Sequence, residues 1–294
     1  MNARALVLGA RGQLGCALLE SAPPGTAGVG REEADLCDPR GLARVLDRHD
    51  PAVVLNAAAW TAVDRAEEDP EGAEAVNARG VATLARLCAE GGRRLVHVST
   101  DYVFDGKLGR PYRPEDPSAP LNVYGASKRR GEEAALGILG ARAAVVRTSW
   151  LYAPWGTNFL LTILRRAAAG DALRVVDDQR GTPTSVLTFA RLLWAVAGRD
   201  DLGGLWHWAD GGETSWCGFA RAIVERGVAR GLLPAPVPVT AVATVEYPRP
   251  ARRPAVSALD SSALAERLGF SPVPWEDALD EVLGRLLAGR GSRP

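Results

Sequence analysis

The chain has 294 residues, 35 basic and 35 acidic side chains, 47% hydrophobic and 24% charged content. This describes a globular protein with room for a large core, and the cancelled charge gives no overall field to attract nucleic acid or an anionic membrane surface. Four scattered cysteines without a C-x-x-C pair (Cys16, Cys37, Cys88 and Cys217) point to buried reduced thiols rather than a disulfide framework or a zinc site, and with no leader-like start and no apolar run of membrane-spanning length the expected location is cytoplasmic.

The first predicted element is ALVL (5–8), a short apolar run of the kind buried on both faces of a parallel sheet. It leads into LVLGARGQLGCALL (6–19), where Gly9, Gly12 and Gly15 lie between that strand and a predicted helix. Glycines there permit a tight turn, close approach of backbone N–H groups to a pyrophosphate, and close packing of helix on sheet. The helix N-terminus then offers unpaired donors and partial positive charge. The spacing alone is weak in a chain with 32 glycines; its place after the first strand of a βα series is what makes it a dinucleotide-site candidate.

The second strand is read as TAGVG (26–30). Gly30 and Arg31 leave space and positive charge for a ribose 2′-phosphate, which favours NADP(H), while Glu32 and Glu33 keep NAD(H) open. VVL (53–55), LVHV (95–98) and AAVV (143–146) continue the strand series, and 70–91 has the spacing of a helix packed on a sheet. The alternation predicts an α/β fold, a doubly wound parallel sheet of the Rossmann kind.

LVHVSTDYVFDG (95–106) runs out of a strand into Ser99, Thr100 and Asp101, and strand carboxyl ends face the ligand crevice in such sheets. VYGASK (123–128) places Tyr124 and Lys128 four apart, on one face of a helix. The chain has 33 arginines and two lysines, Lys107 and Lys128. A lysine at 128 therefore signals a need for a compact three-donor head rather than for charge alone. An ammonium beside a phenol is expected to lower the phenol pKa, preparing Tyr124 to give a proton to a carbonyl. RGEEAALG (130–137) reads as a solvated helix face, His97 as a satisfied core histidine, and His49 and His207 as lacking ligand-like company.

After about residue 150 the texture changes. PAPVPV (234–239) and EYPRPARRP (246–254) exclude helix interior. The expected organisation is a nucleotide-binding domain over 1–150 and a smaller, mainly substrate-binding lobe over 151–294, with 184–198 returning to the first domain. Trp206, Trp208 and Trp216 are expected to be packing residues; Trp150 is the functional candidate among the tryptophans.

The glycine turn, NAAAWTAVDRAE (56–67), VSTDYVFDG (98–106) and VYGASK together resemble the extended short-chain dehydrogenase/reductase superfamily, and within it the dTDP-4-dehydrorhamnose reductases. DDQRGTPTS (177–185), GLWHWADGGETSWCGFA (204–220) and ARRP (251–254) are similar to that family's layout, so the likeness covers nearly the whole chain. The resemblance implies NADPH-dependent reduction of the C4 ketone of a dTDP-4-keto-6-deoxy-L-sugar. It implies that Gly12, Gln13 and Leu14 lie against cofactor phosphates, Asp35 and Leu36 flank the adenine, and Ala58, Ala59 and Trp60 border the cofactor. Tyr124 would be the proton donor, Lys128 its electrostatic partner and ribose anchor, and Thr100 the second hydroxyl on the carbonyl; Asp101 and Trp150 would contact the sugar, and Arg253 a nucleotide phosphate. Ala17 stands where some relatives carry a metal-binding glutamate, so no metal is expected, and Val256 precedes Ser257 where the family often has Asn. Two other functions compete. A nucleotide-sugar epimerase or dehydratase of the same superfamily is disfavoured by Asp101–Tyr102, where dehydratases put Asp–Glu. A non-catalytic NADP-binding regulatory subunit is disfavoured by the intact Thr100, Tyr124 and Lys128. The partner expected is the dTDP-sugar, with no nucleic acid or membrane, and a homodimer stays open.

Overall fold

The computed structural model describes residues 5–291. Its centre is a six-stranded parallel sheet in the order β10-β5-β4-β3-β1-β2. The strands are β1 (Ala5–Leu8), β2 (Ala27–Val29), β3 (Val53–Asn56), β4 (Arg94–Thr100), β5 (Ala143–Thr148) and β10 (Gly204–His207). All residues of β1, β3 and β5 are buried, as continuous apolar runs in a doubly covered sheet should be. Strand alternation splits the core in two. Val7, Val96 and Val146 face one layer with Leu18 and Leu193; Leu6, Leu8, Val54 and Leu95 face the other with Leu42, Leu84 and Ala135.

The helices of the first half are α1 (Gln13–Glu20), α2 (Pro39–His49), α3 (Val63–Glu68), α4 (Pro70–Glu74), α5 (Val81–Glu90) and α6 (Val123–Leu139). Asp38 caps α2 by accepting from the Arg40 amide, with Pro39 at the first helical position where its missing N–H costs nothing. Between α4 and α5 the chain widens into one π-helical stretch, Ala75–Gly80, so the helix read over 70–91 is continuous but carries a bulge that periodicity did not reveal.

The second half supplies β6 (Leu151–Tyr152), α7 (Phe159–Ala168), β7 (Leu173–Val176), β8 (Arg180–Gly181), β9 (Thr184–Ser185), α8 (Val186–Ala197), β11 (Thr214–Ser215), α9 (Trp216–Ala229), β12 (Val239–Val242), α10 (Ser262–Leu268) and α11 (Trp275–Gly291). Its strands form three separate two-stranded pairs, β6–β9, β7–β12 and β8–β11. α8 packs on α1, and the Trp194 indole donates to the Leu18 carbonyl at 3.0 Å. β10 was not read from the sequence as a sheet strand; it adds the edge beside β5. No helix among the described residues is long and apolar enough to cross a membrane.

Two expectations fail here. The face read as solvated at 130–137 is so only in part: Arg130, Glu133 and Gly137 are exposed, but Gly131 packs on the Asn77 carbonyl, Ala135 lies in the core, and Glu132 forms a buried ion pair with Arg147 at 2.7 Å. Helical periodicity gathers the three buried positions on one side of the helix, and the arginine that satisfies Glu132 lies fifteen residues away on β5. Nor are all the thiols buried, since Cys37 is exposed and Cys16 half-buried.

Candidate active site

The β1–α1 turn is a cradle that β-carbons would fill. Gly9 has φ +77, and a Cβ there would stand 2.8 Å from the Ala58 nitrogen; one at Gly15 would stand 2.1 Å from the Gly9 carbonyl. Gly12 occupies the N-cap of α1, where no side chain caps the helix amides. Gln13 and Leu14 open the helix. Leu14 is buried, and the Gln13 side chain accepts from Asn158 at 2.7 Å while its carbonyl accepts from the Trp155 indole at 3.0 Å. The turn is thus tied to the segment ahead of α7.

At the end of β2, Arg31 pairs with Asp35 at 3.1 Å. Asp35 also accepts from the Cys37 amide, and these contacts hold its carboxyl below the usual range, the amide contributing most. Leu36 is buried in the core beneath. Sequence reasoning missed Arg11: it pairs with Glu32 at 2.7 Å, and both lie against Gly30. Arg11 and Arg31 therefore present two guanidinium groups at this edge, each already shared with a carboxylate.

Beyond β3, Ala58, Ala59 and Trp60 form a half-buried rim. Asn77, on the π-helical stretch, clamps it: Oδ1 accepts from the Trp60 amide at 2.9 Å and Nδ2 donates to the Trp60 carbonyl at 3.0 Å and to Ser127 Oγ at 3.0 Å. A π-bulge redirects a side chain without ending the helix, and such bulges recur at functional sites. Asn77 had no sequence signal beyond its polarity in an apolar helix.

α6 carries the centre. Asn122 caps it, accepting from the Gly125 amide at 2.7 Å and donating to the Arg252 carbonyl at 2.8 Å. Gly125 and Gly131 bring the helix against its neighbours: a Cβ at either would lie 2.1 Å from the carbonyl oxygen of Tyr102 or of Asn77. On the facing strand end, the Thr100 hydroxyl accepts from the Tyr102 amide at 3.2 Å and donates to Asp101 Oδ1 at 3.1 Å, and it stands close enough to the Tyr124 phenol to lower its pKa. The site thus brings together Thr100, Asp101 and Tyr124, with Lys128 buried one turn further along α6. Three buried polar atoms near this edge have no partner among the described residues: Ser99 Oγ, Asp101 Oδ2 and Thr148 Oγ1. Since buried polar groups are normally paired, these are open valences.

The expected lowering of the Tyr124 pKa is not what the protein shows. Burial pushes the phenol up to about 12, opposed by the Thr100 hydroxyl and reinforced by Asp101. Lys128 does not counter this, because its amine is turned elsewhere: it donates to the Val98 carbonyl at 2.7 Å and lies 3.4 Å from His97 Nε2. Burial pushes Lys128 itself down to about 8. Burial also raises Asp101 to about 7, against hydrogen bonds from Ser257 and Thr100.

The second half contributes two predicted residues. Trp150 has φ +47, a left-handed backbone unusual for a bulky side chain. Its ring stacks on Trp216 at 3.6 Å with 8° between planes, and Gly181 leaves room beneath, since a Cβ there would meet the indole at 2.8 Å. Trp216, read as packing, is the support for Trp150. Arg253 donates to Asp64 at 3.0 Å and to the Ala251 carbonyl at 2.8 Å, and also contacts the Tyr102 hydroxyl. The Tyr102 ring meets Tyr124 edge-on with centroids 6.0 Å apart.

Residues 3–288 match the model of the RmlD substrate binding domain family. Among curated relatives, a dTDP-4-dehydrorhamnose reductase of Burkholderia thailandensis is 42% identical over 295 residues, covering 96% of this chain and 99% of that protein. One of Mycobacterium tuberculosis is 42% identical over 293 residues, covering 95% and 92%. A crystal structure of a dTDP-4-dehydrorhamnose reductase from Bacillus anthracis in complex with NADP superposes with a TM-score of 0.91 at 31% identity, covering 97% of this chain and 100% of that one. A match across both halves, with the glycine cradle and the Thr100–Tyr124–Lys128 cluster lying inside it, means that the chain belongs to the RmlD substrate binding domain family, together with the dTDP-4-dehydrorhamnose reductases.

Proposed function

We propose that the protein is an NADPH-dependent reductase acting on the C4 ketone of a dTDP-4-keto-6-deoxy-L-sugar, with dTDP-4-dehydrorhamnose to dTDP-L-rhamnose as the default conversion. The observation that carries this reading is the meeting of two hydroxyls, Thr100 and Tyr124, at the carboxyl end of β4 beside the glycine cradle. A ketone oxygen placed between them would accept two hydrogen bonds, and one donor could surrender its proton as the oxygen becomes an alkoxide. With its pKa near 12, Tyr124 is fully protonated at neutral pH, which is the state a proton donor must start from. Thr100 holds the phenol in place and polarises the carbonyl. Lys128 anchors the floor of the site and would bind ribose hydroxyls.

The residues present fit a dinucleotide. The uncapped start of α1 offers its amides to a pyrophosphate, and the turn glycines leave the space a Cβ would take. Gly9, Gly12, Gln13, Leu14 and Gly15 would hold the phosphates, with Arg11 and Arg31 beside a 2′-phosphate, Asp35 and Leu36 at the adenine, and Ala58 to Trp60 along the rim. NADPH supplies the hydride. NAD(H) is the lesser cofactor in this reading, because two guanidinium groups flank the β2 end. Residues 151–294, apart from α8 and β10, would form the substrate lobe; Asp101 and Trp150, from the first domain's edge, would contact the sugar there, and Arg253, drawn from its partly buried contact with Asp64, would pair with a nucleotide phosphate.

The test is to follow NADPH absorbance with dTDP-4-dehydrorhamnose as substrate. Oxidation of NADPH supports the reductase; altered sugar with no net cofactor change would support an epimerase instead. Tyr124→Phe should lower kcat by about 10²–10⁴-fold while NADPH binding is kept. Loss of binding together with turnover would make the phenol a structural group and sink the assignment.

A further inference from the structure

Behind Lys128 runs a buried hydrogen-bond chain whose direction is fixed at its far end. Asn56 and His97 are register partners on β3 and β4. The Ala58 amide lies 3.1 Å from Asn56 Oδ1, and a backbone N–H can only donate, so this end of the side-chain amide is the oxygen. The other end, Nδ2, is then the atom 3.1 Å from His97 Nδ1. Nδ2 is a donor, so Nδ1 must accept, and the single proton of a neutral imidazole sits on Nε2. The ring is neutral, since full burial holds its pKa well below the ordinary histidine value. Nε2–H therefore points at Lys128 Nζ, 3.4 Å away. An ammonium has three donors and no lone pair, so in that state donor faces donor. A neutral amine has a lone pair there, and can still donate to the Val98 carbonyl at 2.7 Å.

We propose that His97 is a positioning residue for Lys128: its Nε2–H, oriented by Asn56 and the Ala58 amide, faces the amine as a donor and so eases loss of the ammonium proton. The proposal rests on the reading of Lys128 as part of the reductase site and adds to it a group that eases its deprotonation. Burial acts in the same direction, bringing Lys128 to about 8, and Glu132 one turn along α6 acts against it. The Glu132 carboxylate is itself held by Arg147 of β5 at 2.7 Å. Other charged groups on elements packed against α6 are engaged or remote. Glu67 of α3 accepts from the Val123 amide and Asp64 pairs with Arg253; Glu74 of α4 pairs with Arg130, and Arg79 with Glu71. Arg86 and Glu90 of α5 are exposed. Asp101 and Tyr102, after β4, face Thr100, Ser257 and Arg253. His97 is thus the titratable side chain from the sheet that meets the amine directly.

The composition makes the test direct. With two lysines and three histidines in the chain, spectra of full-length protein carrying 13Cε-lysine and ring-15N histidine hold few signals. The expected result is that His97 is protonated on Nε2 and bare on Nδ1, and that Lys128 titrates well below the ordinary lysine value. His97→Gln can turn its side-chain oxygen to Nζ and should raise the Lys128 midpoint by about one pH unit or more. A proton on His97 Nδ1, or a Lys128 midpoint unmoved in folded His97→Gln, overturns the proposal. Should the variant fail to fold, the tautomer in the unaltered protein decides. The pH profile of NADPH-dependent turnover separates the two readings: a limb that moves with the Lys128 midpoint supports both. A profile that ignores a shifted midpoint counts against the role of Lys128 in the reaction and leaves the His97 chain standing.

Discussion

The floor and the mouth of the site are built on opposite principles. Under α6, polar groups are paired: Asn56 with His97 and Ala58, Asn77 with Trp60 and Ser127, Glu132 with Arg147, and Arg147 with Ser118 and His207. At the mouth, Ser99, Asp101 and Thr148 keep open valences, Asp101 is raised to about 7, and Trp150 is held in a left-handed backbone by a stacked partner. Paired buried networks rigidify. Unpaired groups and backbone strain persist only where surrounding structure enforces them, and they cluster where ligands bind. The contrast locates fixed geometry in the floor and chemical readiness in the mouth.

The largest effect expected from breaking the floor is at Glu132. Glu132→Gln leaves the buried Arg147 without its counter-charge, which should cost about 3–5 kcal/mol and lower Tm by about 10 °C in a thermal melt. An unchanged Tm would mean that the floor pair does not hold α6 to β5. At the mouth, Asp101→Asn should act through pH. The folded pKa of Asp101 is raised above its unfolded value, so its contribution to stability is complete below about pH 4 and is lost as pH rises through 7. The variant should flatten that decline and be more stable than the parent at pH 8 by about 1–3 kcal/mol, with turnover impaired. Parallel stability curves for the two proteins would remove Asp101 from the comparison. The smallest effect is at Trp216→Leu, which takes away the support beneath Trp150. An aromatic pair of this kind contributes about 0.5–1.5 kcal/mol, so KM for the sugar should rise about threefold to tenfold with kcat nearly kept. A change in kcat alone would place Trp150 outside the sugar contact.

What the sequence made legible follows from the range of the interactions involved. The buried strands, the glycine turn, and the Tyr124–Lys128 spacing are local patterns, and the structure shows the runs at 5–8, 53–55, 95–98 and 143–146 as neighbouring strands. β10 was not legible because GLWH has no long apolar run and owes its place to β5. The Glu132–Arg147 pair joins residues fifteen apart on different elements, so a charge run on a helix looked like solvent-facing surface. His97 was read as a satisfied core residue, and it is buried and bonded; that its free N–H addresses Lys128 depends on Asn56, 41 positions earlier, and on which way a side-chain amide is turned. The direction of the Tyr124 pKa was misread for the same reason: spacing put the amine on the right face, and the fold turned it toward the Val98 carbonyl.

The two glycines that seat α6 have a consequence for how such a protein can diversify. With Tyr102 and Asn77 carbonyls standing where methyl groups would go, the helix cannot be shimmed outward, and the phenol's height above the sheet is set by the absence of two carbon atoms. On the proposed roles of Trp150 and Arg253, the loops after β5 and β12 could be recut to admit another sugar without disturbing that datum. In that assignment selectivity and proton delivery would be tuned on separate dials.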